Sequence, residues 1–377
     1  MWLPQTYIKE AKSKGLDSQT IDAAVDQVDT VLRKAENIPS LLTLNHLATR
    51  VGVNVKELRQ FVDRTDLDAY QRFSIRKRRG GRRFISIPAP QLMRTQRWIN
   101  EFILKPLPVH GSSHAFERHS SIVKAASVHC GARWLIKIDV EDFFGSISEI
   151  QVFRLFRSLE YQPLVSFELA RLCTIGTSPH SPRKEYPNWR VHKRNKIIQG
   201  YSQQLLGYLP QGAPSSPRLS NLIMKPLDEA LYLEAKQKGL YYTRYSDDLC
   251  FSYHNTDFNR RNATELVSAV YRILSSAGYR PNMRKTTVVP PGSKKIVLGL
   301  NIENDQPRLS KPFCDKVDQH LYYIKKYGPV EHSHRRKFDS VWGMKSHIRG
   351  SIDFAKMVEP ERSAVWLEDF NRVEWPV

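Results

Sequence analysis

Two carboxylates stand side by side in the segment Tyr245-Ser246-Asp247-Asp248. The alternating apolar residues that flank it, YYTRY and LCFSY, predict two short strands around a tight turn at Ser246-Asp247. Adjacent carboxylates repel, and the pair is costly unless positive charge sits against it. A divalent cation supplies such charge; for the pair taken alone, a solvated turn explains it as well. Asp139 changes that balance. It closes the apolar strand Trp134-Leu135-Ile136-Lys137-Ile138, where packing alone gives little reason for a carboxylate. One strand-end aspartate plus an aspartate pair in a hairpin can hold two Mg2+ ions about 3.5–4 Å apart for in-line phosphoryl transfer. Mg2+ takes a few carboxylates completed by substrate phosphates, and Asp139, Asp247 and Asp248 meet that need.

Two further segments fit a phosphate-bearing substrate. Leu209-Pro210-Gln211-Gly212-Ala213-Pro214-Ser215-Ser216-Pro217 leads into Leu219-Ser220-Asn221. Its small residues let the backbone approach a flat ligand closely, although a Pro/Gly-rich helix start would read the same way. Between Arg72 and Arg83 there are seven basic residues and no acid, which a solvated turn explains poorly.

The elements that must carry these residues follow from periodicity. Residues 1 to about 40 read as helix, with Ile21, Val25, Val28 and Leu32 on one face. LLTLNHLATRVGVNVKELRQFVDR reads as two short helices around Gly52, a packing unit rather than a DNA reader. RFSIRKRRGGRRFISIP predicts a β-hairpin turning at Gly80-Gly81. Residues 92–107 and most of 148–174 read as helix, and 177–200 as a basic, Pro-interrupted loop. A helix is expected to run from the Gly212 segment to about Lys238, and another over 262–277. KKIVLGLNIE reads as one strand. From Lys311 onward the pattern is helical, with Phe313, Val317, Leu321 and Ile324 as one stripe.

Composition narrows the partners. The chain has 377 residues, enough for two or three domains, and 58 Lys+Arg against 38 Asp+Glu give +20. That surplus points to a polyanion, either nucleic acid or an anionic membrane. The longest uncharged stretch, about Ile197 to Pro217, is rich in Gln, Ser, Gly and Pro and cannot span a bilayer. MWLPQTYIKEAKSKG has no apolar leader core, so no secretory signal is expected. Cys130, Cys173, Cys250 and Cys314 lack paired zinc spacing and read as buried free thiols of a reducing cytosol.

Taken in order, these segments resemble the palm of reverse transcriptases, over about residues 42 to 355 and nearest to the bacterial retron-type and defence-associated branch. RKRRGGRRFISIP resembles the first fingers block, LIKIDVEDFF motif A, LPQGAPSSPRLSNL motif B and YTRYSDDLCFS motif C. Pro281-Asn282-Met283-Arg284-Lys285-Thr286 resembles motif D, and VLGLNI the primer-grip strands. The resemblance implies an α+β right-hand fold with fingers, a palm built on a small antiparallel sheet, and a helical thumb. The divisions are an N-terminal helical region at 1–65, fingers at 66–130, palm at 131–300 including the basic loop 177–200, and a thumb-like region at 301–377.

It also implies roles. Asp139, Asp247 and Asp248 would hold two Mg2+ ions, one activating the primer 3′-hydroxyl and one holding the triphosphate and the leaving pyrophosphate. Phe144, five residues after Asp139, matches the steric gate that excludes a 2′-hydroxyl; core packing is the alternative, since Phe143 beside it is equally apolar. Lys77 and Arg83 match the positions that grip the incoming triphosphate, with Arg78, Arg79 and Arg82 tracking the template. Gln211 and Gly212 match residues that touch the nucleotide. Lys285 matches the proposed proton donor to pyrophosphate, or is a surface lysine. Tyr245 would pack beside the primer end or fill the sheet.

Two departures stand out. The stretch before motif B reads IIQGYSQQLLGYLPQG where retron enzymes carry N-A-x-x-H, and Val297-Leu298-Gly299 stands where they carry V-T-G. Both weigh against self-primed branched RNA–DNA production and leave the polymerase assignment intact. No H-N-H or integrase segment follows the thumb-like helices, which favours a resident, defence-type enzyme over a mobile-element one. The resemblance therefore implies a cytoplasmic RNA-directed DNA polymerase, a nucleotidyltransferase acting in antiviral defence. Its partners would be dNTPs, a non-coding RNA template or scaffold, the DNA product, and a defence partner protein or a second copy, with no membrane. The competing readings are an RNA-binding scaffold with a vestigial polymerase site and a template-independent nucleotidyltransferase. Three clustered carboxylates argue against the vestigial site.

Overall fold

The computed structural model describes residues 4–65, 69–76, 82–176 and 206–376. In chain order the elements begin with helices α1 (Pro4–Ser13), α2 (Ser18–Lys34), α3 (Leu44–Val51) and α4 (Val55–Asp63), then the hairpin β1 (Tyr70–Arg76) and β2 (Arg82–Pro88). Next come α5 (Pro90–Ile99), α6 (Ile122–Ser127), β3 (Trp134–Asp139), α7 (Glu149–Ser158) and α8 (Pro163–Cys173). The short strands β4 (Ile175–Gly176) and β5 (Gly207–Tyr208) lead to α9 (Ser216–Gln237), the hairpin β6 (Tyr241–Tyr245) and β7 (Asp248–Tyr253), and α10 (Arg260–Ser276). The chain closes with β8 (Thr287–Val289), β9 (Ile296–Val297), β10 (Leu300–Asn301), α11 (Lys311–Tyr327), α12 (Pro329–Arg335), α13 (Val341–Val358) and α14 (Pro360–Asn371). This is the α+β class that the sequence implies. Among the described residues, no helix is long and apolar enough to cross a membrane.

Local chemistry sets the helix ends. The two-helix unit turns at Gly52, which takes φ 71° as the left-handed cap of α3, while Thr43 and Asn54 cap the starts of α3 and α4. The basic hairpin pairs Arg76 with Arg82, and its expected turn at Gly80-Gly81 lies outside the described residues. The helix expected over 92–107 is α5 continued by a π-helical segment, Asn100–Leu104. KKIVLGLNIE is not one strand. It folds back as the pair β9–β10, with Leu298 at φ 50° and Gly299 at φ 87° between Val297 and Leu300. Two consecutive positive φ values make the tight hairpin turn that matches strand twist, and an apolar run conceals such a turn. Leu298 is held in that conformation by packing on the core of its unit.

The chain divides into two compact units. The first comprises Met1–Glu117, Asp139–Leu231 and Val270–Asn282. Its interior holds a buried charge cluster. Glu149, 1% exposed, opens α7 behind a capping box of Ser148 and Gln151. Its carboxylate pairs with Arg64 at the end of α4 and with Arg171 of α8 at 2.9 Å, and accepts from Thr174 Oγ1 and the Gly207 amide, each at 3.1 Å. One acid thus ties α4, α7, α8 and the β4–β5 pair together.

The second unit comprises Arg118–Ile138, Tyr232–Ala269 and Met283–Val377. It is built on a four-stranded sheet of order β6-β7-β3-β8. One apolar cluster joins Leu135 of β3 and Cys250 of β7 to Val297 and Leu300 and to Val317, Ile348 and Trp366 of the C-terminal helices. The expected stripe on α11 is present. Val317, Leu321 and Ile324 are buried together with Cys314, and Phe313 packs at the edge of the cluster. All four cysteines are free; Cys173, Cys250 and Cys314 are buried, whereas Cys130 is half-buried. Burial pushes the Cys173 thiol up to about 12, so it stays protonated and inert.

Removing Glu149 leaves two inward-facing arginines without their shared acid. Glu149→Ala is therefore expected to destabilise the protein by about 3–5 kcal/mol, read as a fall in the urea midpoint. Asp353→Ala, which breaks the exposed Arg349–Asp353 pair, should change stability by less than about 1 kcal/mol in the same assay. Equal losses for the two variants would remove the hub role from Glu149.

Candidate active site

The Asp247-Asp248 pair sits where its strands force it to sit. β6 and β7 pair antiparallel from Tyr241↔Ser252 to Tyr245↔Asp248, leaving Ser246 and Asp247 as a two-residue turn. Ser246 takes φ 60°, the left-handed region that such turns need. Asp247 is half-buried and Asp248 is exposed at the start of β7. On the reverse face of the hairpin Arg244 is fully buried, and its Nη1 donates to the Ser246 carbonyl at 3.1 Å. On the Thr243 face the hairpin is clamped by His129, which is fully buried: one ring nitrogen meets Ser252 Oγ and the other Thr243 Oγ1, both at 2.7 Å.

Asp139 arrives on the neighbouring strand. β3 lies beside β7 in the sheet, and the Arg133 amide before β3 donates to the carbonyl of Tyr253, the last residue of β7, at 2.8 Å. The beginning of β3 thus meets the far end of β7, and the chain reaches Asp139 as it runs back along β7. Asp139 is the last residue of β3 and is 6% exposed. Its carbonyl accepts from the Asn282 amide at 2.7 Å. Lys137, two residues earlier, donates from Nζ to the Ile296 carbonyl of β9 at 3.1 Å. Lys285 is exposed on the turn that leads into β8, the edge strand paired with β3 through Leu135↔Val289.

Carboxylate oxygens are hard donors, the ligand type that Mg2+ takes. Among the described residues, no group of three or more His, Cys, Asp or Glu side chains is gathered closely enough to cage an ion unaided. Mg2+ needs no such cage, because it is commonly bound by one or two carboxylates together with waters and substrate phosphates. Asp139 at the end of β3 and Asp247 and Asp248 at the hairpin tip offer donors of that type.

The remaining candidates lie in the first unit. Arg83 is exposed on β2, opposite Ile75. Lys77, Arg78, Arg79 and the basic loop 177–200 lie outside the described residues. The Ser86 amide of β2 donates to the Gln211 carbonyl at 2.8 Å, so the hairpin and the segment before α9 are stitched together. Gly212 follows with φ 114°, and a Cβ there would stand 2.9 Å from Ile85 Cγ2 and 3.0 Å from the Ser86 carbonyl oxygen. Only glycine permits that approach. The Leu209 amide donates to the Ile147 carbonyl at 3.0 Å, which links the same segment to the turn carrying Phe144. Phe143 is buried and Phe144 is half-buried, its ring 6.3 Å from that of the exposed Phe116. Arg83, Gln211, Gly212 and Phe144 therefore belong to one backbone-linked region.

Several supporting residues escape a reading of the sequence. Arg218 of α9 pairs with Glu117 and donates to the carbonyls of Leu104, Lys105 and Leu107. Asn221, one turn on, donates to the Ala115 carbonyl at 2.7 Å and to Glu117 at 2.9 Å. These bonds fix the start of α9, and like those of His129 they join residues more than a strand or a helix apart, whereas Arg244 bonds the backbone of its own hairpin turn. Only the polar character of such residues inside apolar elements signals them beforehand.

Comparison with known proteins identifies the family. Residues 75–302 match the reverse transcriptase (RNA-dependent DNA polymerase) family. The chain is 30% identical to the retron Mx162 reverse transcriptase of Myxococcus xanthus, over 90% of this chain and 69% of that protein. It is 28% identical to the retron Ec86 reverse transcriptase of Escherichia coli, over 82% of this chain and 87% of that protein. It is 30% identical to the retron Mx65 reverse transcriptase of Myxococcus xanthus, over 86% of this chain and 70% of that protein.

Proposed function

The chain belongs to the reverse transcriptase family and is an RNA-directed DNA polymerase of the retron type, and on that premise we propose that Asp139, Asp247 and Asp248 hold two Mg2+ ions at its polymerising centre. The observation that carries this reading is the sheet, in which the strand ending at Asp139 lies beside the hairpin that presents Asp247 and Asp248. Bound there, the two ions would supply the positive charge for attack of the primer 3′-hydroxyl on the α-phosphate and for departure of pyrophosphate.

The chain's own residues prepare the substrates. Arg83, with Lys77, neutralises the triphosphate as it enters. Gln211 and Gly212 give the nucleotide a backbone surface, which the close approach of Gly212 to β2 holds in place. Phe144 stands under the sugar and excludes a 2′-hydroxyl; its half-exposure beside the buried Phe143 supports giving it that role over core packing. Lys285, exposed before β8, supplies the proton that pyrophosphate takes up on leaving. In this reading 66–130 are the fingers, 131–300 the palm and 301–377 the thumb-like region, with 1–65 an N-terminal helical region.

The wider reading is that the enzyme acts in the cytoplasm in antiviral defence, working with a dedicated non-coding RNA and making DNA from dNTPs. The charge of +20 supports a large polyanionic partner. So do Arg335, Arg336 and Lys337, then Lys345 and Arg349, beyond the palm; His332, which the sequence places in the same cluster, is buried and adds no surface charge. A folded RNA read by its shape would engage such a surface.

Three measurements test these points. Asp247→Asn should lower nucleotide incorporation by about a hundredfold or more while leaving nucleic-acid affinity unchanged, since a lost metal ligand removes several kcal/mol of transition-state stabilisation. Wild-type DNA synthesis by that variant would sink the metal assignment. Phe144→Ala should relax the preference for deoxyribonucleotides by about one to two orders of magnitude, measured as the ratio of kcat/KM values. Unchanged discrimination in a folded Phe144→Ala protein would make the ring core and not gate. Protein purified from its native locus should carry one dominant structured RNA, identified by sequencing. A random sample of cellular RNA, with full activity on arbitrary primer–templates, would count decisively against a dedicated partner.

A further inference from the structure

We infer that Arg244 is a positioning residue for polymerisation, holding the turn that presents Asp247 and Asp248 in the direction the metals require. This inference rests on reading those two aspartates as metal ligands. Arg244 is 0% exposed, and its Nη1 donates to the Ser246 carbonyl at 3.1 Å. A guanidinium stays protonated in proteins, so this is a buried full charge. If the position needed only volume, an apolar side chain would fill it without the desolvation cost. The bond instead lands on the residue whose backbone sets the path of the turn.

Ser246 holds φ 60°, a conformation that side chains other than glycine rarely adopt. The register closes at Tyr245↔Asp248, so Ser246 lies in the turn beyond the last paired residues. A charge-assisted bond to the Ser246 carbonyl supplies that restraint from inside the hairpin. Geometry matters here as much as charge. The planar fork of arginine offers fixed donors, whereas lysine offers a single rotating ammonium. The alternative role is packing: Arg244 lies opposite Leu249, on the hairpin face that carries the buried Tyr242 and Phe251.

The two roles separate in the Mg2+ dependence of the full-length enzyme on a primer–template with dNTPs. Arg244→Lys should raise the Mg2+ concentration for half-maximal incorporation by about tenfold, the factor expected for one lost hydrogen bond to a charged group. Adding Ser246→Gly to that variant should recover much of the shift, because glycine takes a positive φ without being held there. Melting curves accompany each variant. An unchanged Mg2+ midpoint in Arg244→Lys, whatever its kcat, overturns the inference, as does a shift that Ser246→Gly leaves in place. If Arg244→Lys does not fold, restoration of folding and activity by Ser246→Gly supports the inference, and failure of both variants to fold assigns Arg244 to packing. Asp247→Asn is the control. Its retention of activity overturns the metal reading and the inference together; its inactivity beside an Arg244→Lys enzyme with a wild-type Mg2+ midpoint overturns the inference alone.

Discussion

Two negative charges on consecutive residues cannot be separated, and the second unit is arranged around that constraint. The pair sits at a hairpin tip, where water reaches Asp248 and lessens the repulsion. The tip has to be narrow to aim both carboxylates, and a two-residue turn achieves this only with a positive φ at Ser246. That conformation is maintained from behind by the hairpin itself. His129 bridges Thr243 on one strand and Ser252 on the other, so the strands cannot slip in register without losing both bonds. Arg244 closes the arrangement by bonding the turn carbonyl.

The first unit meets a related constraint by the opposite means. Its charges are drawn inward to Glu149, where they fix the relation of α4, α7, α8 and β4–β5. A buried ion pair contributes little net stability compared with apolar packing, but it is strict about which groups must meet. That strictness suits a region in which Phe144, Gln211 and Gly212 hang from backbone bonds among Ser86, Leu209 and Ile147. Gly212 shows how little slack exists, because even a methyl group there would press on the Ser86 carbonyl. These three residues and their scaffold are thus one packing problem.

Much of this was legible in the sequence because it is local. A strand of period two, a hairpin with a short polar turn and a helix with a capping residue each carry their signal within ten or so residues. Hence the placement of Asp139 at a strand end and of Asp247-Asp248 in a turn could be expected from the residues alone. The β9–β10 fold-back was hidden because Leu298 is an apolar residue in a left-handed conformation, which only its packing sustains. The π-helical segment 100–104 has no distinct sequence pattern, and β8 is too short to show one. Glu149, His129 and Arg244 were illegible for another reason. Their partners lie far away in the chain or in the backbone, and a single sequence shows neither.

Charge arithmetic adds a last constraint. If each of the 38 acidic residues neutralised one base, 20 of the 58 Lys and Arg would still lack a counter-charge within the chain. The acids are not all available either. Glu149 serves two arginines at once, and Arg261–Glu265, Arg335–Glu331 and Arg372–Glu368 are spent along single helices. A surplus of this size repels itself and works against compactness until something external neutralises it. Small counterions do so at an entropic cost that a nucleic-acid backbone removes, since binding releases condensed cations from the phosphates. The physical consequence is that any polyanion neutralising this surplus also stabilises the fold, so that polyanion binding and stability are linked through the same basic residues.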